Sequence, residues 1–539
     1  MPTLNWMGKE KVVNHHRDVP YRVLERVPEK GVLDSRGSDC GNMIIHGDNL
    51  EALKSLLPEY EGKVDCIYID PPYNTGNEGW VYNDNVSDPR IKKWLGQVVG
   101  KEGEDFSRHD KWLCMMYPRL QLLRKLLAPT GVIFISIDDN EQANLKLMCD
   151  EIFGLKNAVG TFIWQKRTSP DARKRVSTAH EYLLCYVSDI NRLNESLNLL
   201  ALSDEDKAKY KNPDNDPRGP WTSTDYTAQG YRPNQMYTII TPGGKSYSPT
   251  DGHCWKNTEE EYLRQLTEGR FWFGKDGNGV PRRKTYLAER AGRNSWTWWD
   301  NKGVGHTQEA TQELTAIFGT KTVFDYPKPT RLLERVIQLA TKPNSIVLDS
   351  FGGSGTTAHA MLKLNEKDGG HRRFILIELS DYADTVTAER MRRVISGYGE
   401  GKNAVAGIDS GFSYYELGPA LFDVEEPPIA SRSASPMISL NADAPAEAVR
   451  RYVWYTETRS EYVDRTGECP WLLGEHAQTA YYLVYSPGEE TVLDYGLLKG
   501  LPVKGSPTVV YASRCILSPG QLEAAGVVFK QIPSQIARM

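Results

Sequence analysis

Val64-Asp65-Cys66-Ile67-Tyr68-Ile69-Asp70-Pro71-Pro72-Tyr73 sets a short apolar run against a stiff, proline-locked turn. The run has the length and apolar character of a strand buried on both faces. In open α/β sheets ligands bind beyond the carboxyl ends of the strands, which is where Asp70 falls. The two prolines fix the turn and remove two backbone donors, so the loop presents carbonyls. An Asp carboxylate beside the Pro71 carbonyl accepts both hydrogens of an exocyclic amino group. Such a group normally delocalises its lone pair into its ring; two acceptors localise the pair and aim it at an electrophile. Tyr73 is placed to stack on that ring. A lone D-P-P-Y is also an ordinary Asp-capped turn, but its place between a buried strand and Asn74-Thr75-Gly76 makes it a candidate site.

Outward from this stretch, Met43-Ile44-Ile45-His46 precedes a helical pattern at Leu50, Leu53, Leu56 and Leu57. Downstream, Trp112, Met115, Met116, Leu120, Leu123 and Leu127 give a second helix, ended by Pro129-Thr130-Gly131, and Val132 to Ile137 a buried strand. This alternation predicts a parallel sheet with helices on both faces. It dissolves after Asp189 into a stretch rich in Asn, Asp, Gly, Pro and Trp. It resumes with a helix at Arg331 to Thr341, strands at Ser345 to Leu348 and Arg373 to Ile377, and a helix between them. The expected fold class is therefore α/β, a doubly wound, mostly parallel sheet built from two chain segments. The expected parts are an arm over 1–40, core segments over 41–190 and 322–404, an insert over 191–321, and a small α/β domain over 405–539. In the last, strands are expected at Tyr481 to Tyr485, Thr508 to Tyr511 and Gly526 to Phe529.

The second motif is Asp349-Ser350-Phe351-Gly352-Gly353-Ser354-Gly355-Thr356-Thr357, a glycine-rich turn from a strand into a helix. Its glycines let backbone approach a ligand at a helix N-terminus. No Lys follows the glycines, so it is not a P-loop. It satisfies a loose dinucleotide pattern, with Glu378 about 20 residues on, and taken alone leaves open a nicotinamide-dependent oxidoreductase. The acidic residues fit a ribose diol without pyrophosphate, and S-adenosylmethionine has that character: Glu378 for its ribose hydroxyls, Asp349 near its cationic methionine end.

Together the two motifs resemble those of the DNA amino-methyltransferases, in the order of the permuted β class, with the catalytic motif first. The opening Leu4-Asn5-Trp6-Met7-Gly8-Lys9-Glu10 and the stretch from Ile45 to Ile137 resemble more specifically the modification subunits of type III restriction–modification systems. The likeness covers most of residues 1–400. It implies a seven-stranded-type methyltransferase sheet, a target recognition domain in the insert, and transfer of a methyl group to adenine N6 in double-stranded DNA by base flipping. Cytosine also offers an amino group, and the choice of adenine rests on the resemblance. It implies Asp70, Pro71, Pro72 and Tyr73 as catalytic residues, and Asp349, Phe351, Gly353, Gly355, Thr356 and Glu378 as cofactor residues. Lys328, within Tyr326-Pro327-Lys328-Pro329, would close over the methionine moiety, and Asp48 would lie beside the cofactor. His180-Glu181-Tyr182 resembles the lining of the base pocket, although His180 is equally a loop histidine. A second copy of the chain and a helicase-nuclease restriction subunit are the implied partners; a stand-alone methyltransferase of another defence system remains open. No metal is required, because a sulfonium is already an activated electrophile.

The formal charge of −5, from 65 Lys+Arg and 70 Asp+Glu, argues by itself against a nucleic-acid partner. Its distribution argues otherwise. Lys166, Arg167, Arg173, Lys174 and Arg175 face only Asp171 over 161–175, and eight basic residues, Arg282, Arg283 and Lys284 among them, face three acidic ones over 270–302. Six of the 13 tryptophans lie between Trp221 and Trp299, so basic and aromatic residues interleave as phosphate contact and stacking require. Residues 421–500, with 13 acidic and six basic side chains, would repel DNA. Eight cysteines without a CxxC pair fit a reducing cytoplasm, and neither a signal peptide nor a run of about 18 apolar residues is present to suggest a membrane.

Overall fold

The computed structural model describes residues 3–75, 105–321, 323–425, 437–502 and 507–536. They form two compact units, one of Met1–Asn198 with Trp296–Met539 and one of Leu199–Ser295.

The largest sheet of the first unit carries the two motifs. Its strands are β1 (Arg22–Arg26), β2 (Met43–His46), β3 (Val64–Ile69), β4 (Leu127–Ile137), β5 (Ala158–Gln165), β6 (His180–Val187), β7 (Trp298–Trp299), β8 (Ile346–Asp349), β9 (Arg373–Glu378) and β10 (Ser413–Ala420). Their order across the sheet is β1-β10-β2-β9-β8-β3-β4-β6-β5-β7. From β10 to β4 all neighbours are parallel, and β6 runs against both β4 and β5. The two chain segments on either side of the insert thus meet at β3 and β8, with Leu348 beside Ile67.

Period-two alternation explains why β3 is apolar on both faces from Cys66 to Ile69. Ile67 and Ile69 pack with Leu53, Leu56 and Leu57 of α1 (Asn49–Tyr60) and Leu120 and Leu123 of α2 (Asp105–Leu126). Cys66 and Tyr68 are equally buried on the other face, where α4 (Thr330–Ala340) crosses β3 and packs on α5 (Thr356–Asp368). Between them in the chain lies α3 (Gln142–Cys149), directly after β4.

The expected doubly wound, mostly parallel sheet is present, with β10 and β1 extending one edge and β7 the other. Three expectations are corrected. The boundary placed at 404/405 falls too early: β10 pairs in parallel with β2, Tyr414 beside Ile44, so the chain returns to the main sheet before leaving it. The 1–40 segment is likewise no free arm, since β1 pairs with β10 and the Trp6 indole N–H donates to Cys114 Sγ of α2 at 3.3 Å. Nor does Pro129-Thr130-Gly131 end a helix; α2 stops at Leu126 and β4 begins at Leu127, so those residues already lie in the strand.

Beyond β10, the helix Ala446–Thr458 docks on α1 through a shared apolar core and through Tyr452, whose ring lies 5.1 Å from that of Tyr21. A four-stranded sheet follows, made of Leu472–His476, Thr479–Leu483, Thr508–Ala512 and Val527–Gln531 in that order.

The second unit has a three-stranded antiparallel sheet, Phe271–Trp272, Arg282–Tyr286 and Trp221–Asp225, and the helix Glu259–Thr267. Its core is aromatic: Tyr226, Trp255, Tyr262, Phe271 and Phe273 enclose Ile239.

Candidate active site

One edge of the sheet gathers the chemistry-bearing residues. Asp70 follows β3, while Asp349 and Glu378 are the last residues of β8 and β9. Because β6 is antiparallel, its first residues join the same edge: Tyr182 lies opposite Ile137 and His180 opposite Gln165.

The turn after β3 is held from below. The Trp112 indole N–H of α2 donates to the Pro72 carbonyl at 2.6 Å, and no donor among the described residues takes the Pro71 carbonyl. Asn74, in the left-handed region at φ 59°, is buried and donates from Nδ2 to Glu141. Glu141 is fully buried and also pairs with His109 Nδ1 and accepts from Asn144 Nδ2 at 2.9 Å. One carboxylate thus ties the turn after β3 to α2 and α3. Glu141→Ala removes the acceptor shared by buried Asn74 and the partly exposed His109 and Asn144, and a lost buried hydrogen-bond partner costs about 1–3 kcal/mol. Urea unfolding is expected to show a loss of about 3 kcal/mol; an unchanged midpoint contradicts the role.

Above the turn lies a charged network. Asp70 Oδ1 accepts from the Tyr73 hydroxyl at 2.8 Å, and Oδ2 from Lys328 Nζ at 2.6 Å. Glu181 Oε2 stands 3.1 Å from the same hydroxyl and 3.6 Å from the same ammonium, while its Oε1 accepts from Lys166 Nζ at 2.8 Å. Burial works against the Lys328 ammonium, but Asp70 and Glu181 outweigh it and hold its pKa above the ordinary lysine value. Burial likewise works against ionised Glu181, and Lys328 and Lys166 together keep its pKa below the usual carboxylate range. The Tyr73 hydroxyl is pushed far up by burial and by the two carboxylates, so it stays a neutral donor. Its ring lies 5.1 Å beneath the Lys328 ammonium.

The glycine turn is a backbone cradle. Gly353 and Gly355 have φ of 50° and 76°, and a Cβ would stand 3.3 Å from the Phe324 ring at the first and 3.2 Å from the Thr387 carbonyl at the second. Glu378 accepts the Gly353 N–H at 2.7 Å and the Ser380 N–H at 3.0 Å, which fixes its carboxylate beside the turn. Burial raises its pKa. Asp349 accepts the Phe351 N–H at 3.0 Å and the Thr357 hydroxyl; burial pushes it up to about 8, the charges of Asp70 and Glu378 adding to the rise. Ser350 Oγ, buried in the same turn, has no hydrogen-bond partner among the described residues. The Thr356 hydroxyl is turned inward to buried Arg390, which also holds Ser354, Thr330 and His359. Two carboxylates, glycine backbone and the Phe324 ring, set edge-on to Tyr382 at 5.5 Å, suit a flat base, a diol and a cationic tail.

Four sequence expectations move. Lys328 meets Asp70 rather than the glycine turn, because the left-handed bend at Tyr326 (φ 54°) precedes its entry to the β3 side. Asp48 caps α1 through the Leu50 and Glu51 N–H groups and pairs with Arg119 at 3.3 Å, so its carboxylate has a structural task. Lys166 belongs to the network with Glu181, and Lys284 is buried between Asp214 and Asp216, so each ammonium is already paired with carboxylates. Arg282 pairs with Asp225, Arg283 is half-buried, and Arg173 pairs with Asp171 while remaining exposed. Arg167, Lys174 and Arg175 are exposed on the loop joining β5 to β6. His180 bonds Tyr182, which donates to Asp139. Sequence reading took Trp112 only as a helix position and passed over Glu141; only the run Asp138-Asp139-Asn140-Glu141 at a strand end marked the latter.

The fold and this edge define an α/β protein with a glycine-rich backbone cradle at one strand end and a carboxylate-bearing proline turn at the next. The profile of the DNA methylase family matches residues 64–389, and the chain belongs to that family. It is 39% identical to the type III restriction-modification enzyme StyLTI Mod subunit of Salmonella typhimurium, over 77% of this chain and 66% of that protein. To the EcoPI Mod subunit of Escherichia phage P1 the identity is 33%, over 70% and 63%. To the type II methyltransferase M.KpnI of Klebsiella pneumoniae it is 34%, over 66% and 84%. The chain thus spans just under two thirds of the first two relatives' length.

Proposed function

We propose that the protein transfers a methyl group from S-adenosylmethionine to adenine N6 in double-stranded DNA, as the modification subunit of a type III restriction–modification system. The observation that carries the reading is the Asp70-Pro71-Pro72-Tyr73 turn one strand away from the glycine cradle, close enough that Asp70 acts electrostatically on Asp349. When bound, the cofactor supplies a methyl group on positively charged sulfur. Asp349 would hold its cationic end, Glu378 its diol, and the Gly353 and Gly355 backbone would lie against it. Asp70 and the Pro71 carbonyl accept the two amino hydrogens and hold the lone pair in line. Tyr73 stacks on the base, whose extrusion costs a few kcal/mol.

The exposed Arg167, Lys174 and Arg175 are assigned to DNA phosphates, and the unit Leu199–Ser295 to target recognition. A second copy and a helicase-nuclease restriction subunit are the proposed partners, and the cytoplasm the proposed location; among the described residues no helix is long and apolar enough to cross a membrane. Relatives of the stand-alone type II kind also match, so the restriction subunit is the separable part of the proposal. Single-molecule sequencing of DNA from cells expressing the chain is expected to show N6-methyladenine at one sequence context. Methylcytosine, or unmodified DNA from cells holding folded protein, overturns it.

A further inference from the structure

Both partners of the Asp70 carboxylate are shared. The Tyr73 hydroxyl lies 2.8 Å from Asp70 and 3.1 Å from Glu181, and Lys328 Nζ lies 2.6 Å from Asp70 and 3.6 Å from Glu181. Resting on the methyltransferase reading, we propose that Glu181 is a positioning residue that takes Lys328 and Tyr73 from Asp70, freeing it to accept the amino group.

An ammonium at 2.6 Å fills one face of a carboxylate and draws density from the oxygens that must hold the amino hydrogens. It is also adverse electrostatically, since positive charge passes from sulfur to the attacking nitrogen during methyl transfer. Asp70 therefore works best with Lys328 displaced but still neutralised. Glu181 is built for that exchange. Its backbone sits in β6, with Trp164 of β5 opposite. Lys166 fixes Oε1, leaving Oε2 toward Tyr73 and Lys328. Lys328 lies between Pro327 and Pro329, so the backbone is stiff and the flexible side chain makes the move. The gap to Glu181 closes to an ordinary charge-assisted length of about 2.8 Å by a shift of about 1 Å. The four charged groups, two carboxylates and two ammoniums, stay balanced throughout.

The test uses the full chain and an oligonucleotide carrying its methylated context. Glu181→Gln leaves Lys328 with Asp70 as its one carboxylate, and kcat is expected to fall about 10²-fold, the scale of one misplaced electrostatic group. Cofactor Kd by calorimetry is expected to stay within about twofold, because Glu181 does not belong to the cradle. Adding Lys328→Met removes the ammonium that now blocks Asp70, and the double variant is expected to be about tenfold faster than Glu181→Gln alone. A wild-type kcat in Glu181→Gln, or a double variant no faster than the single, overturns the proposal. If Glu181→Gln does not fold, Glu181→Asp, which keeps the charge but withdraws it from Lys328, carries the same comparison. A roughly tenfold loss relieved by Lys328→Met supports the proposal, and no loss or no relief overturns it. An inactive wild type fails the methyltransferase reading instead, so the two failures are distinct.

Discussion

Asp70→Ala is expected to lower kcat for methyl transfer by about 10³-fold or more while changing cofactor affinity by no more than a few-fold. The amino nitrogen is a poor nucleophile as long as its lone pair is delocalised, and Asp70 is the stronger of the two acceptors that localise it. The turn itself survives, because its anchors are elsewhere: Trp112 on Pro72 and Glu141 on Asn74. The cofactor cradle is likewise intact, since its carboxylates belong to β8 and β9. What changes besides chemistry is Lys328, left buried with Glu181 as its remaining carboxylate at 3.6 Å. Its pKa falls, and stability is expected to drop by about 1–3 kcal/mol, the scale of a buried charge that loses one partner. Asp70→Asn keeps one acceptor oxygen and is expected to retain more activity than Asp70→Ala. Burst kinetics with the modified context and calorimetry with the cofactor separate these quantities. Full turnover in Asp70→Ala would refute the mechanism.

The sheet was legible because its strands are local apolar runs of strand length. Ile67 and Ile69 face one layer of helices and Cys66 and Tyr68 the other, and four successive apolar residues report both burials. The two motifs were legible for a related reason: each is contiguous, and a strand end followed by prolines or glycines has few other uses. What was not legible is set by distance along the chain. Lys328 lies 258 residues from Asp70, Glu181 lies 108 from Tyr73, and Glu141 lies 67 from Asn74. Spacing says nothing about such pairs until the sheet order is known. The same gap misled the reading of charge. Lys284 and Lys166 look free in sequence, yet Asp214 and Asp216 enclose the first and Glu181 holds the second. β10 was missed because its sequence, Ser413-Tyr414-Tyr415-Glu416-Leu417-Gly418-Pro419-Ala420, mixes a Gly and a Pro into a strand near the sheet edge, where both are tolerated.

Asp349 makes the second large prediction, one in pH. Burial raises its pKa from 3.8 to about 8, against the bonds from Thr357 and the Phe351 N–H. Between those values the folded chain keeps a proton that the unfolded chain has released. The stability associated with neutral Asp349 is therefore complete below the unfolded value, declines as pH rises, and is gone above about 8. Asp349→Asn holds the neutral form at every pH. It is expected to unfold like the wild type near pH 4 and to be more stable by a few kcal/mol at pH 8.5, each pKa unit being worth about 1.4 kcal/mol. Function runs the other way. A cationic cofactor tail favours ionised Asp349, so binding must expel the proton, and wild-type affinity is expected to tighten by up to about tenfold per pH unit from pH 6 to 8. Asp349→Asn is expected to bind about 10- to 100-fold more weakly at pH 8, with no such slope, because a charged hydrogen bond is worth about 1.5–3 kcal/mol. Calorimetry in two buffers of different ionisation enthalpy measures the released proton directly. A wild-type affinity flat across this range, or equal stability of the two proteins at pH 8.5, would mean that Asp349 is already ionised in the folded chain and that the cradle gains nothing from its burial.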